Sequence, residues 1–528
     1  MNKKLHLDYK IFIPAAVFLV AFILYGALAP ESFALVTDAI RMWFGTNFAW
    51  AALIMAMVCT LTIACVVISK FGKTKIGGPE AKTEYKTHTW IFMVICGNIG
   101  IAMMFYAVIE PISFFTSPPE FWNVEAGTSL AANYGVAQST FHWASVTWVI
   151  DLYAGFAGVL LCINYKLPFR PSTSLYPVLK EKAFGPIGRT YDVLALIAIL
   201  GGLITGFGLG ISQFCTGLSY KTGIGLSNGL YVIVIAIAVI ILIFSSTRGF
   251  KKGLAMFSTA NSYMYIFFLV FLLAVGPTIK LLELVVGSGG ALISNFIPMG
   301  FNGDFLGDDN GWNVDYTSFT WLWGFVYGPF TGMYLAKISK GRSIRAFIAV
   351  VVGVSTAFML IWFAFWGGNA IMLQSSGTDI MGVIDEWGAS VANFVVLDQL
   401  PLSGVVNVIL FACIAIGYIT LVDALSNVIA GMCVTKVDEN LDTPPVVRAF
   451  WILVLGGATL VCLFALDTVG MSSLQSLTVA LGVPLAFIAI AITVGYFRLI
   501  GGKTQAYINS PEGQEGLKKA QATVGRIE

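Results

Sequence analysis

Trp143, Trp148 and Asp151 lie in one apolar run, residues 138–163. On a regular helix, turning about 100° per residue, Asp151 projects between the two tryptophans, and all three fit a face about 140° wide. A carboxylate beside indole faces suits a cation, which both the ring quadrupole and the negative charge attract. Inside a membrane that carboxylate costs roughly 2.5–3.5 kcal/mol on insertion scales. A structural partner, an ion path or a cationic ligand has to offset it. A second aromatic pair, Trp323 and Tyr327, is four residues apart and shares a helical face within the segment from Thr320 to Pro329. Rings at this spacing are commonly core, but Gly324 and Gly328 beside them can wall a cavity.

Other polar residues interrupt apolar runs. Gly97-Asn98-Ile99-Gly100-Ile101-Ala102 reads either as close helix packing or as a broken helix whose freed backbone groups, with the Asn98 amide, coordinate an ion or substrate. That run ends at Glu110-Pro111, where proline can close a helix. Gly202, Gly206 and Gly210 recur at four-residue spacing and predict close helix packing. Thr420, Asp423, Ser426 and Asn427 point toward a protein interior or a wet path. The three histidines are too scattered for a histidine metal site, and the eight cysteines include no CxxC pair. No metal or cofactor is expected.

The elements that must position these residues are membrane helices. The chain has 528 residues, 57% hydrophobic and 11% charged, where soluble domains carry about a quarter charged. Apolar runs of roughly 20 residues predict about twelve spans, near 11–30, 49–69, 90–111, 138–163, 191–219, 229–246, 257–279, 317–338, 345–367, 404–432, 449–468 and 473–498. The segment 283–300 is broken by glycines and predicts a short interfacial helix. Lys and Arg cluster before the first span and in every second loop, whereas 112–137 and 368–403 contain neither. The positive-inside rule then makes both termini cytoplasmic, with an even number of spans in a cell membrane. The first run, Ile11 to Ala29, lacks a clear cleavage site and predicts a retained helix. The net charge of +2 includes no concentrated basic patch, so no nucleic-acid partner is expected. No HExxH, paired metal ligands or channel-filter repeat is present, so an enzyme is not expected. Residues 506–528 predict a polar, partly disordered cytoplasmic tail.

Together the landmarks resemble the betaine/choline/carnitine transporter family over roughly residues 10–500. They are Glu110-Pro111, Phe141-His142-Trp143, the glycine helix from Leu194 to Gly210, the tryptophan-rich segment Trp321 to Pro329 and the basic stretch Ile338 to Arg345. The resemblance implies an all-α membrane protein of twelve helices within 1–505. It implies inverted five-helix repeats of the LeuT type, 89–287 and 315–500, after two peripheral helices. It also implies alternating access around a midplane site, and a homotrimer. The expected function is secondary transport of a small quaternary-ammonium or amine solute of the betaine, carnitine or choline type. A different small amine or amino-acid-like solute on the same fold is the alternative.

By position, the family's aromatic cage falls on Trp143, Trp148, Trp323 and Tyr327, with Asn98 and Gly100 from the helix-3 break. Gly324 stands where the family usually has another tryptophan, and Asp151 where it commonly has an aromatic residue. These departures predict a roomier, more acidic site and a solute with net positive charge or a bulkier amine. Thr420 matches the first sodium-coordinating hydroxyl, but Leu421 replaces the second. With Asp423 the other coupling-ion candidate, this predicts sodium-independent exchange or proton coupling rather than sodium symport.

Overall fold

The computed structural model describes residues 6–98, 101–247, 251–307, 309, 311–435 and 443–524. The chain is 84% helical, with no strand among the described residues. The principal helices are α1 (Tyr9–Leu28), α2 (Pro30–Ile68), α3 (Thr87–Asn98), α4 (Ile101–Thr116), α5 (Ser129–Thr140), α6 (Thr147–Tyr165), α7 (Pro186–Thr222), α8 (Asn228–Thr247), α9 (Lys251–Val275) and α10 (Thr278–Gly300). They continue with α11 (Phe319–Ile338), α12 (Ser355–Ser375), α13 (Ser403–Met432), α14 (Pro445–Leu463), α15 (Ser472–Ile500), α16 (Lys503–Ile508) and α17 (Pro511–Val524). Helix ends follow local chemistry. The Thr128 hydroxyl accepts from the Ala131 N–H at the start of α5. α7 opens on Pro186 and stops at Gly223, whose positive φ suits a residue without a Cβ.

Ten continuous helical runs among the described residues are long and apolar enough to cross a membrane. One is α10, which extends the expected interfacial segment 283–300 into 23 unbroken residues. Glycine there narrows the helix instead of ending it: a Cβ on Gly287 would stand 2.4 Å from the Asn133 side chain. α11 is not among the ten, being rich in glycine, threonine and aromatic residues, yet it is buried almost throughout. Ile233, Ile237, Ile240 and Phe244 on α8 are exposed, as lipid-facing residues should be. Pro111 does not end its helix, which runs on to Thr116. The proline ring lies against Gly367, where a Cβ would come within 2.4 Å of it, so neighbouring glycine makes room for the irregular turn.

The glycines divide their work differently from the sequence expectation. Gly328 and Gly332 of α11 form a backbone seam with α6: added Cβ atoms would meet the Ile150 oxygen at 2.7 Å and the Leu152 oxygen at 2.4 Å. Gly155 answers from α6, where an added Cβ would lie 2.6 Å from the Met333 nitrogen. Gly202 and Gly206 of α7 instead receive aromatic rings.

The basic stretch Ile338–Arg345 is a clasp. Arg345 donates to the Val67, Ile68 and Ser69 carbonyls, satisfying the C-terminal end of α2. Arg342 donates to the Tyr85 carbonyl and lies over the Trp90 ring at 4.6 Å. The described part of the tail, to Val524, is helical. α17 lies against the 180–184 turn, Tyr507 donates to Glu181 at 2.9 Å, and Leu517 and Ala520 are buried. Its polar residues ride one face while these apolar ones dock, which composition alone does not reveal.

Candidate functional site

The site is built where α4, α6, α7 and α11 meet. Two π-turns shape it: Phe141–Ser145 joins α5 to α6, and Val314–Ser318 leads into α11. A π-turn frees backbone groups and is common at functional sites. Here the freed His142 carbonyl takes the Thr147 hydroxyl.

Trp143 leaves the first π-turn and stacks on Tyr106 of α4, with centroids 4.3 Å apart and planes at 21°. It meets Trp323 edge-on at 5.7 Å and 90°. Trp323 also contacts Phe319 at 5.5 Å and Tyr327 at 6.1 Å. The Trp323 indole N–H and the Tyr327 hydroxyl both donate to the Gly202 carbonyl, each at 3.2 Å. This is possible because α7 is bare here: a Cβ on Gly202 would lie 2.8 Å from the Tyr327 ring, and one on Gly206 3.3 Å from its hydroxyl. Two donors on one carbonyl lock both rings against α7.

Trp148 is buried, but among the described residues no ring contact joins it to this cluster. The uniform 100° wheel that placed it beside Trp143 ignored the π-turn, which changes the helical phase between them. Asp151 reaches α11, where an added Cβ on Gly324 would stand 3.2 Å from its Oδ1. That oxygen is closed to solvent and has no hydrogen-bond partner. Gly324 is therefore not open space: Asp151 and Ile150 fill the position a side chain would take. The Asn98 side chain and Gly100 lie outside the described residues, as does Ile99 within the expected break at Gly97 to Ala102.

The betaine/carnitine/choline transporter model matches residues 10–505. The chain belongs to that family. Its members are transporters, not enzymes, and this one is a multi-pass membrane transporter. It is 28% identical over 497 residues to a glycine betaine transporter of Acinetobacter baylyi, covering 94% of this chain and 74% of the relative. It is 30% identical over 472 residues to a probable glycine betaine transporter of Desulfitobacterium hafniense, covering 89% and 93%. It is 29% identical over 457 residues to a high-affinity choline transport protein of Escherichia coli, covering 86% and 66%.

In this transporter the coupling-ion candidates are already engaged. The Thr420 hydroxyl donates to the Ile416 and Gly417 carbonyls of its own helix. Asp423 accepts from Arg448 at 2.8 Å and from Ser245 at 3.1 Å. The sequence reading missed Tyr106, the closest ring to Trp143. Its one signal is its place four residues before Glu110, on the same face of α4. It also missed a buried polar knot next to the rings. His142 faces Glu110 at 3.3 Å, Thr317 at 2.8 Å and Gln138 at 2.9 Å. Gln138 is one turn before His142, but Glu110 and Thr317 come from distant parts of the chain, so no local pattern announces the knot.

Proposed function

We propose that the protein is a secondary active carrier of a small quaternary-ammonium or amine solute, held by Trp143, Trp323 and Tyr327, with Trp148, Asp151, Asn98 and Gly100 as further contributors. The observation that carries this reading is the ring cluster itself. Trp143 meets Trp323 edge-on, and Trp323 and Tyr327 lie against the glycines of α7 inside an apolar body, both pinned by the Gly202 carbonyl. A desolvated cation over such rings gains about 2 kcal/mol or more. Twelve spans, inverted repeats at 89–287 and 315–500, alternating access, cytoplasmic termini, a cell-membrane location and a homotrimer complete the proposal.

Coupling is sodium-independent exchange or proton symport. Arg448 already neutralises Asp423, and Leu421 offers no oxygen ligand beside the Thr420 hydroxyl. Sodium prefers several hard oxygen ligands, and these residues supply few.

The test is tryptophan-fluorescence titration of purified protein with glycine betaine, choline, carnitine and primary amines, with and without sodium. Saturable quenching by a quaternary ammonium compound is expected. Trp323→Ala should weaken binding roughly thirtyfold, the equivalent of about 2 kcal/mol. Binding unchanged in that variant removes the cage. Uptake into proteoliposomes that rises steeply with external sodium removes the coupling assignment.

A further inference from the structure

We propose that Asp151 and Gly324 form one specificity element, which selects a solute carrying net positive charge and no carboxylate of its own. The inference rests on the carrier reading above and assigns the charge of its substrate.

Three other carboxylates inside the helices face basic side chains. Glu110 faces His142, Asp192 faces Arg170, and Asp423 pairs with Arg448. Asp151 is half-buried, has no ion-pair partner among the described residues, and has its Oδ1 shut from water with no donor. A charge left in that state is a poor structural device, because nothing offsets its desolvation. It is a good ligand device, because an incoming cation supplies the missing partner.

Position supports the ligand role. Gly324 follows Trp323, whose ring belongs to the cluster, and Gly324 itself faces the carboxyl oxygen. Tyr327 lies one turn on from Trp323, and the two rings are in contact on either side of Gly324 in the chain. A cation against the Trp323 and Tyr327 rings therefore lies within the field of Asp151. A zwitterion would bring a second carboxylate into the same dry space, where like charges repel.

The two residues are also sterically linked. A Cβ at position 324 would press on Asp151 Oδ1 at 3.2 Å and on Ile150 Cγ2 at 3.3 Å. A side chain at 324 therefore crowds the Asp151 carboxylate, which would have to shift to admit it. What the sequence presents as two separate departures is one arrangement: the glycine makes the space and the carboxylate fills it.

Choline and glycine betaine are the probes. Both carry a trimethylammonium group, and only betaine carries a carboxylate. Binding of each is measured by calorimetry on full-length wild type, Asp151→Asn and Gly324→Ala, with circular dichroism confirming that each variant is folded. Wild type should prefer choline at least tenfold. Asp151→Asn should lose tenfold or more in choline affinity and bring the two compounds level. Gly324→Ala should shift the ratio the same way by a smaller factor, because its methyl group displaces the carboxyl. Equal binding of both probes by wild type, or an unchanged ratio in Asp151→Asn, overturns this inference and leaves the aromatic site standing. Failure of folded wild type to bind either probe overturns the quaternary-ammonium reading and this inference with it.

Discussion

Asp423 on α13 and Asp151 on α6 are both carboxylates inside apolar helices, and the protein treats them in opposite ways. Asp423 receives a guanidinium at 2.8 Å and a hydroxyl at 3.1 Å. Asp151 receives neither, and one of its oxygens is sealed away without a donor. The first is a joint between α13 and α14. The second adjoins the ring cluster and a helix face stripped to glycine. Low dielectric gives changes at both sites a large effect, but of opposite sign. Removing a partner from Asp423 exposes a desolvated charge, whereas neutralising Asp151 relieves one.

This contrast can be broken in three ways. The largest effect is expected from Arg448→Met, which leaves Asp423 charged and partly alone. It should cost about 3–5 kcal/mol, read as a large drop in the thermal unfolding midpoint of detergent-purified protein. Adding Asp423→Asn should recover most of that loss. A single variant as stable as wild type would show that the pair is not a joint.

Asp151→Asn should move the same midpoint the other way. Removing an unsatisfied buried charge is worth about 1–3 kcal/mol, so the variant gains stability while it loses cation preference. Such a trade is common at binding sites. A destabilised Asp151→Asn protein would reveal a structural partner and erase the contrast.

The smallest change sharpens the comparison. Ser245→Ala removes the second donor to Asp423 and leaves Arg448 in place. It should cost about 1 kcal/mol and leave solute affinity untouched. A loss of binding in this variant would tie Asp423 to the transport site after all.

The seams teach a related lesson about legibility. Glycines at four-residue spacing are visible on both α7 and α11, and spacing cannot say what each receives. On α11, Gly328 and Gly332 meet backbone; on α7, Gly202 and Gly206 meet rings. The same absence of a Cβ serves both purposes, and only the opposing helix distinguishes them. Trp148 is a similar case. Its expected face assumed regular helix, and the π-turn at Phe141–Ser145 altered the phase. Tyr106 was invisible for another reason: it comes from a different helix and meets Trp143 only in space.

The sequence by itself determined that this is a membrane-spanning helical protein. Long apolar runs with few charges have no other stable solution, because lipid offers the backbone no hydrogen-bond partners. It also determined the family, since its landmarks occur in order along nearly the whole chain. It placed Trp323 and Tyr327 on one helical face, because residues four apart share a face; only the family resemblance brought Trp143 to them. Only the tertiary structure decided that Asp151 stands against Gly324, that Asp423 is spoken for by Arg448, and that the basic stretch from Ile338 to Arg345 closes the end of α2. Each of these is a contact between residues far apart in the chain. Periodicity fixes which face of a helix a residue lies on, but not which neighbour that face meets.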